Sequence, residues 1–192
     1  MIDVDALNAL LDGVEGYLHP DEPAFLAALA ATVPAGQVIV EIGSYRGRST
    51  IALAYGAADG VRVYAVDPHE EHEVQGLPFG MADNQAFMAN VSRAGMGHKI
   101  RVANVPSSFG KCRWWGWRNV GLLFIDGAHE YASVREDIDV WSWYLAVGGL
   151  LALHDANTWE GPTRAADELS RAQGWTEIAG CAYTRVFRKE TE

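Results

Sequence analysis

Acidic and imidazole side chains follow an apolar run at two places in this chain. Phe124-Ile125-Asp126-Gly127-Ala128-His129 is the first, and Leu153-His154-Asp155-Ala156-Asn157 the second. If both runs are strands and lie side by side, Asp126, His154 and Asp155 can converge on one divalent cation while His129 stays free. An imidazole with an intrinsic pKa of about 6.5 can accept a proton at neutral pH, and such catalysis is worth roughly 10² to 10⁴ in rate. The alternative for His129 is a cap on the helix that follows.

A third polar constellation lies upstream. Val40-Glu41-Ile42-Gly43-Ser44-Tyr45-Arg46-Gly47-Arg48-Ser49-Thr50 has the form E-x-G-x-x-x-G-x-S/T between an apolar run and a helical one. Gly43 and Gly47 allow a sharp turn and a close backbone approach to a ligand, and the next helix offers free amides and a positive dipole end. That suits the carboxylate of an adenosyl amino acid. A nicotinamide site prefers G-x-G-x-x-G, but Tyr45 stands where its middle glycine would be. Asp67, in Ala65-Val66-Asp67-Pro68, ends the next apolar run, where a carboxylate can accept both hydroxyls of a ribose. Together these residues point to a bound adenosine.

The elements that must carry these groups alternate. Two helices come first, Asp5 to Leu18 with apolar residues at helical spacing and an Ala-rich one from Pro23 that stops at Pro34-Ala35-Gly36. Strands are predicted at Val38 to Ile42, Val61 to Val66, Ile100 to Val102, Gly121 to Ile125 and Gly149 to Leu153. Helices are predicted at Ser49 to Tyr55, Asn84 to Ala94, Val134 to Tyr144 and Pro162 to Gln173. Trp175 to Ile178 and Tyr183 to Arg188 read as a hairpin around Ala179-Gly180. Strands separated by helices imply right-handed crossovers and a parallel sheet covered on both faces. The expected fold is α/β, Rossmann-like and doubly wound: a mostly parallel sheet with N-terminal helices over 1–36, a core over 37–192 and a C-terminal antiparallel hairpin, all in one domain.

Composition narrows the function. Hydrophobic residues make up 49% and charged residues 21% of the 192, the mix of an ordinary globular protein. A net charge of −10 repels nucleic-acid phosphates and anionic membranes. There is neither an apolar run of bilayer length nor a basic secretory start, so a cytoplasmic location and a small-molecule substrate are expected. Cys112 and Cys181 lie outside any metal pattern and read as reduced, half-buried fillers.

The glycine segment, Val66-Asp67-Pro68, Phe124-Ile125-Asp126-Gly127-Ala128-His129-Glu130-Tyr131 and Gly148-Gly149-Leu150-Leu151-Ala152-Leu153-His154-Asp155 carry a resemblance. The chain resembles the class I S-adenosylmethionine-dependent methyltransferases of family 24, which are similar to the metal-dependent sugar O-methyltransferases of macrolide pathways. The likeness runs from about Gly16 to Lys189. It implies that Gly43, Ser44 and Gly47 line the methionyl part of S-adenosylmethionine, that Glu41 supports the loop, and that Asp67 holds the ribose. Ser49 and Asp126 belong to the same cofactor set. The family often has an acidic residue before Ser after strand three; here the stretch is Val105-Pro106-Ser107, which leaves Ser107 for the adenine. The resemblance also makes Asp126 and Asp155 metal ligands and His129 the general base. The third ligand, usually Glu, aligns with His154, so an oxygen shell suited to Mg²⁺ becomes a mixed one suited to Mn²⁺, Fe²⁺ or Zn²⁺.

Other segments read as follows. His69-Glu70-Glu71-His72 has the wrong spacing for a zinc-protease helix and is expected in a solvated acidic lid, within a structureless cover from Pro68 to Met81. Arg113-Trp114-Trp115-Gly116-Trp117-Arg118 reads as packing or a homodimer contact, with a substrate platform as the alternative. Trp141, Tyr144 and Leu145 are expected in the core, and Trp159 at the substrate mouth. Two rival functions are a non-catalytic S-adenosylmethionine-binding or assembly protein and an NAD-dependent oxidoreductase. The latter lacks both the tight glycine fingerprint and a Tyr-x-x-x-Lys pair.

Overall fold

The computed structural model describes residues 1–74, 77–112 and 119–191. Helices α1 (Val4–Leu11) and α2 (Glu22–Ala30) open the chain. Asp3 caps α1 by accepting from the Ala6 amide at 3.0 Å, and α1 stops well short of the expected Leu18, with Gly13 just beyond it at φ +67. The alternating part is β1 (Val38–Ile42), α3 (Arg48–Gly56), β2 (Arg62–Val66), β3 (His72–Val74), β4 (Leu77–Phe79), α4 (Met81–Arg93), β5 (Ile100–Ala103), a 3₁₀ turn (Ser107–Cys112), β6 (Val120–Ile125), α5 (Tyr131–Trp141), β7 (Leu145–Leu153) and α6 (Glu160–Leu169). β8 (Trp175–Cys181) and β9 (Thr184–Lys189) close it.

The seven-stranded sheet has the order β5-β2-β1-β6-β7-β9-β8. β5, β2, β1, β6 and β7 run parallel, and β9 is antiparallel to both β7 and β8. Successive strand side chains point to opposite faces, and here both faces are covered. Ile39, Val63, Leu122 and Phe124 pack with Leu26, Ile51, Phe87 and Val91 on one side. Val40, Ile42, Leu123, Ile125 and Leu153 pack with Val134, Ile138, Trp141 and Leu169 on the other. Burying each large apolar side chain contributes roughly 1.5–3 kcal/mol, so the central strands β6 and β7 carry no polar side chain and β1 carries only Glu41.

Two expectations are corrected. The C-terminal hairpin turns at Ala182 (φ +48) and Tyr183, while Ala179-Gly180 stays inside β8 next to a register shift between Glu177 and Ala179. The Pro68 to Met81 stretch is not structureless, since β3 and β4 pair as a small antiparallel hairpin with His72 opposite Phe79. Among the described residues no helix is long and apolar enough to cross a membrane.

Candidate active site

At the carboxyl rim of the sheet, four residues carry the strand ladder one step further. The amides of Gly43, Asp67, Asp126 and His154 donate to the carbonyls of Val66, Ala103, Ile42 and Ile125 at 2.8–3.1 Å. These bonds set the four residues in one row. The strand order reverses between β1 and β6, so a crevice opens there, as it does in other parallel sheets at such a switch point. A cavity of about 910 Å³ occupies it, with Gly43, Ser44, Ser49, Asp67, Ser107, Asp126, His129 and Asp155 among its lining residues.

The glycine loop is held mainly by protein. Gly43 has φ +83, and a Cβ on it would fall inside the Asp126 carbonyl. Its small size thus serves the approach of the β1 and β6 loops to one another, and Gly43 also lines the cavity. Gly47 has φ +88 and faces Phe87, whose ring carbon would lie 3.1 Å from a Cβ there; the residue is not part of the cavity wall. Asp67 Oδ2 accepts from the amides of Ser44 (2.8 Å) and Tyr45 (3.0 Å), and Oδ1 from that of His69 (2.9 Å). This carboxylate is the anchor of the loop, and ligand hydroxyls would have to share it.

Glu41 lies behind the loop, fully buried and out of reach of the cavity. Burial pushes its carboxyl up to about 8 against the opposing pull of hydrogen bonds from Ser49 and Thr50. It therefore joins β1 to α3 as a neutral acid at pH 7 and supports the loop from beneath. Ser44 Oγ is buried and has no hydrogen-bond partner among the described residues, although Ser44 lines the cavity. Such a group is costly unless a ligand or water meets it.

The reacting end joins β6 to β7. His129 Nε2 lies 3.1 Å from Asp155 Oδ2, and Trp159 stacks on the imidazole at 4.9 Å with 15° between the planes. The bond to Asp155 raises the His129 pKa and outweighs burial, which opposes it. Asp155 sits at φ +55, a conformation non-glycine residues adopt at a cost of roughly 1–3 kcal/mol. Burial would raise its pKa, but the bonds from His129 and His154 prevail and hold it well below the usual carboxylate range. Gly161 lets the start of α6 approach this corner, because a Cβ there would collide with the His129 carbonyl.

His154 is buried beneath the pair. Its Nδ1 is 3.0 Å from Asp126 Oδ1 and 3.4 Å from Asp155 Oδ2, off the line of a good hydrogen bond to either. Its Nε2 is 3.1 Å from Glu22 Oε2. Glu22 also accepts from the His19 amide (2.7 Å), the Tyr183 amide (3.1 Å) and the Thr184 hydroxyl (2.8 Å). Burial would raise the Glu22 pKa, but the His154, Thr184 and His19 bonds lower it, so Glu22 is ionised and the His154 Nε2–H must be the donor. One atom each from Asp126, His154 and Asp155 can be chosen so that all lie within 4.8 Å of one another. A ring nitrogen facing two carboxylates, with its other N–H donated to a third, is the usual setting of a metal-binding histidine, so these residues fit a divalent cation.

His69 does not sit in a solvated lid: it is buried at φ +48 with Nε2 3.0 Å from the Tyr45 carbonyl. Cys181 is a free, half-buried thiol. The Cys112 side chain and the Arg113 to Arg118 segment lie outside the described residues. Sequence reasoning missed Glu22 and Gly161 as parts of the site. Neither carries a local signal, since one reads as an acidic residue in a first helical turn and the other as a turn glycine.

A family model described as a methyltransferase domain, of the family 24 type, matches residues 40–156. This is more than half of the chain, and the chain belongs to that methyltransferase family. Solved structures share the fold at low identity. A Corynebacterium glutamicum protein is 18% identical with a TM-score of 0.74, over 98% of this chain and 91% of that one. The O-methyltransferase from Bacillus cereus, solved in complex with SAH, is 17% identical with a TM-score of 0.70, over 97% and 91%. The O-methyltransferase TomG from Streptomyces achromogenes, involved in tomaymycin synthesis and solved with SAM, is 14% identical with a TM-score of 0.72, over 97% and 90%.

Proposed function

We propose that this single-domain chain is an S-adenosylmethionine-dependent O-methyltransferase of a small hydroxylated molecule, with His129 as general base. The observation that carries the reading is the His129–Asp155 pair at the rim of the cavity that Ser44 also lines. S-adenosylmethionine would supply the methyl group and its own leaving group, which leaves alignment and proton removal to the protein. Asp155 holds the His129 Nε2–H, so Nδ1 is the basic atom. Nδ1 is buried without a partner among the described residues, which suits a group kept for a substrate proton. Trp159 fixes the ring plane by stacking.

Ser44, Ser49, Asp67, Ser107 and Asp126 line the part of the cavity where the cofactor would lie, and Gly43, Gly47 and Glu41 shape the loop that presents Ser44. Asp126, His154 and Asp155 would hold a divalent cation of the Mn²⁺, Fe²⁺ or Zn²⁺ kind, supplying positive charge beside the acceptor hydroxyl. Carboxylates of Asp67, Asp83, Asp126, Glu130, Asp137 and Asp155 line the cavity, and its Arg48 directs Nη1 to the carbonyls of Leu11 (3.2 Å) and Val14 (2.7 Å). That lining repels polyanions and favours neutral or cationic acceptors such as sugars and natural-product alcohols.

The test is binding and turnover together. Calorimetry should show S-adenosylhomocysteine binding where NAD⁺ does not bind, and a panel of hydroxylated acceptors with labelled S-adenosylmethionine should yield a methylated product. Binding without turnover on any acceptor would favour a non-catalytic binding protein, and no binding at all would remove the reading.

A further inference from the structure

The turn between β8 and β9 reaches the cavity with a side chain that the proposed chemistry leaves idle. Cys181 pairs with Thr184, so Ala182 and Tyr183 form a two-residue loop, and Tyr183 lines the cavity. Strand order fixes which part of the cavity that is. The sheet runs β2, β1, β6, β7, β9, and β9 begins at the carboxyl rim because it is antiparallel to β7, with Leu153 opposite Arg185. Ser44 and Asp67, where the cofactor would lie, stand on one side of the tips of β6 and β7, and Tyr183 stands on the other. A group that meets Tyr183 therefore belongs to the acceptor.

The loop is held in place from several sides. Ala182 keeps φ +48 in the first position of the two-residue loop, where glycine would carry no strain. Its carbonyl accepts from Asn157 Nδ2 (2.9 Å), and that of Tyr183 from the Ala156 amide (2.9 Å), so the two residues after Asp155 fix the turn. The Tyr183 amide donates to Glu22 Oε1 at 3.1 Å. The ring stands nearly perpendicular to those of His154 (6.2 Å, 78°) and His19 (5.6 Å, 84°).

Backbone and ring are thus fixed beside the reacting corner, yet the Tyr183 hydroxyl has no hydrogen-bond partner among the described residues. A tyrosine hydroxyl can both donate and accept, and a buried one usually finds a partner. The Thr158 hydroxyl, also on the cavity wall, is already given to Asp155 Oδ1 (2.7 Å). We infer that Tyr183 is a specificity residue for the acceptor: its hydroxyl bonds a polar substituent other than the oxygen that is methylated, and so selects acceptors that carry one. This rests on the O-methyltransferase reading above.

The test takes acceptors that the wild type methylates from labelled S-adenosylmethionine, methyl glucopyranoside first, and compares each with congeners lacking one hydroxyl. Deleting the hydroxyl that meets Tyr183 should cost the wild type roughly 2- to 10-fold in kcat/KM, the scale of one neutral hydrogen bond. In Tyr183→Phe that penalty should vanish while those of the other deletions persist, which closes a double-mutant cycle. With the full acceptor the variant should raise KM more than it lowers kcat, as expected when a contact shared by ground and transition states is lost. A check without any acceptor is the fold itself: Tyr183→Phe keeps the ring, so its urea midpoint and S-adenosylhomocysteine affinity should match those of the wild type. A lowered midpoint would make the hydroxyl structural, and equal deletion penalties in the two proteins would mean that it does not touch the acceptor. Either result overturns the inference and leaves the methyltransferase reading standing. If S-adenosylhomocysteine binds but no label enters any acceptor, that reading fails and the inference with it.

Discussion

His154 Nε2 and Glu22 Oε2 meet at 3.1 Å in the protein interior, across 132 positions of the chain. The contact ties α2 to the tip of β7, and thus the N-terminal helices to the reacting end of the site. Glu22 is saturated by donors from His19, His154, Tyr183 and Thr184. Removing the carboxylate leaves these donors unpaired and deprives the imidazole of its partner.

Glu22→Ala is therefore expected to lower stability by about 3–5 kcal/mol, the usual loss when one member of a buried charged pair is deleted. Glu22→Gln keeps the shape and should lose less. Urea denaturation of both variants at pH 7 measures this. A loss below about 1 kcal/mol in Glu22→Ala would show that the pair does not hold α2 to the sheet.

Metal and proton should compete at His154. Burial opposes charging of the ring, but Asp126, Asp155 and Glu22 prevail and push its pKa up to about 12, so without a cation the imidazole is protonated at pH 7. A divalent ion can bind Nδ1 only after that proton leaves. Mn²⁺ binding should release about one proton at pH 7, seen as an enthalpy that changes with the ionisation enthalpy of the buffer. Asp126→Ala and Asp155→Ala should abolish the binding signal. Binding with no proton release would place the ion elsewhere.

Glu41 gives a pH dependence of stability with a definite sign. Its carboxyl is near 4.5 in the unfolded chain and about 8 when folded. Between these values the native state keeps a proton that the unfolded chain has lost, so this contribution falls as pH rises from 4.5 to 8 and is level above. At about 1.36 kcal/mol per unit, the loss is on the order of 4–5 kcal/mol at most. Glu41→Gln cannot ionise and should flatten that slope. Equal urea midpoint shifts between pH 5 and pH 8 in the two proteins would mean that Glu41 is not held neutral.

Parts of this architecture are legible in the residues because the physics is local. β1 occupies Val38–Ile42 as expected, since a short β-branched run has few alternatives. The glycine loop and the two Asp-bearing tips follow from the same strand-end logic. The start of α5 at Tyr131 and its end at Trp141 were not readable, because Tyr144 and Leu145 keep helical spacing while Leu145 already begins β7. β7 was expected to start only at Gly149, as Gly148 at φ +82 and Gly149 look like a break. Glu22 and Gly161 were hidden for a different reason. Each sits among ordinary helix residues, and what makes it special, the His154 imidazole for one and the His129 carbonyl for the other, lies in another element of the fold.

The last expectation concerns the proton acceptor. His129 has its Nε2 on Asp155, its plane against Trp159 and its Nδ1 without a partner among the described residues. Loss of the imidazole in His129→Ala should leave S-adenosylhomocysteine affinity within about twofold, because the cofactor walls are untouched, while turnover falls by roughly 10² or more. His129→Gln should fall as far, since it keeps hydrogen bonding but has no basic nitrogen. Trp159→Ala separates positioning from basicity: the base remains but its plane is freed, so turnover should drop by a smaller factor. Single-turnover rates with a methylated product as readout compare the three on one acceptor. A His129→Gln protein as fast as the wild type would show that the imidazole is structural, and proton removal would then have to be assigned to another group in the cavity.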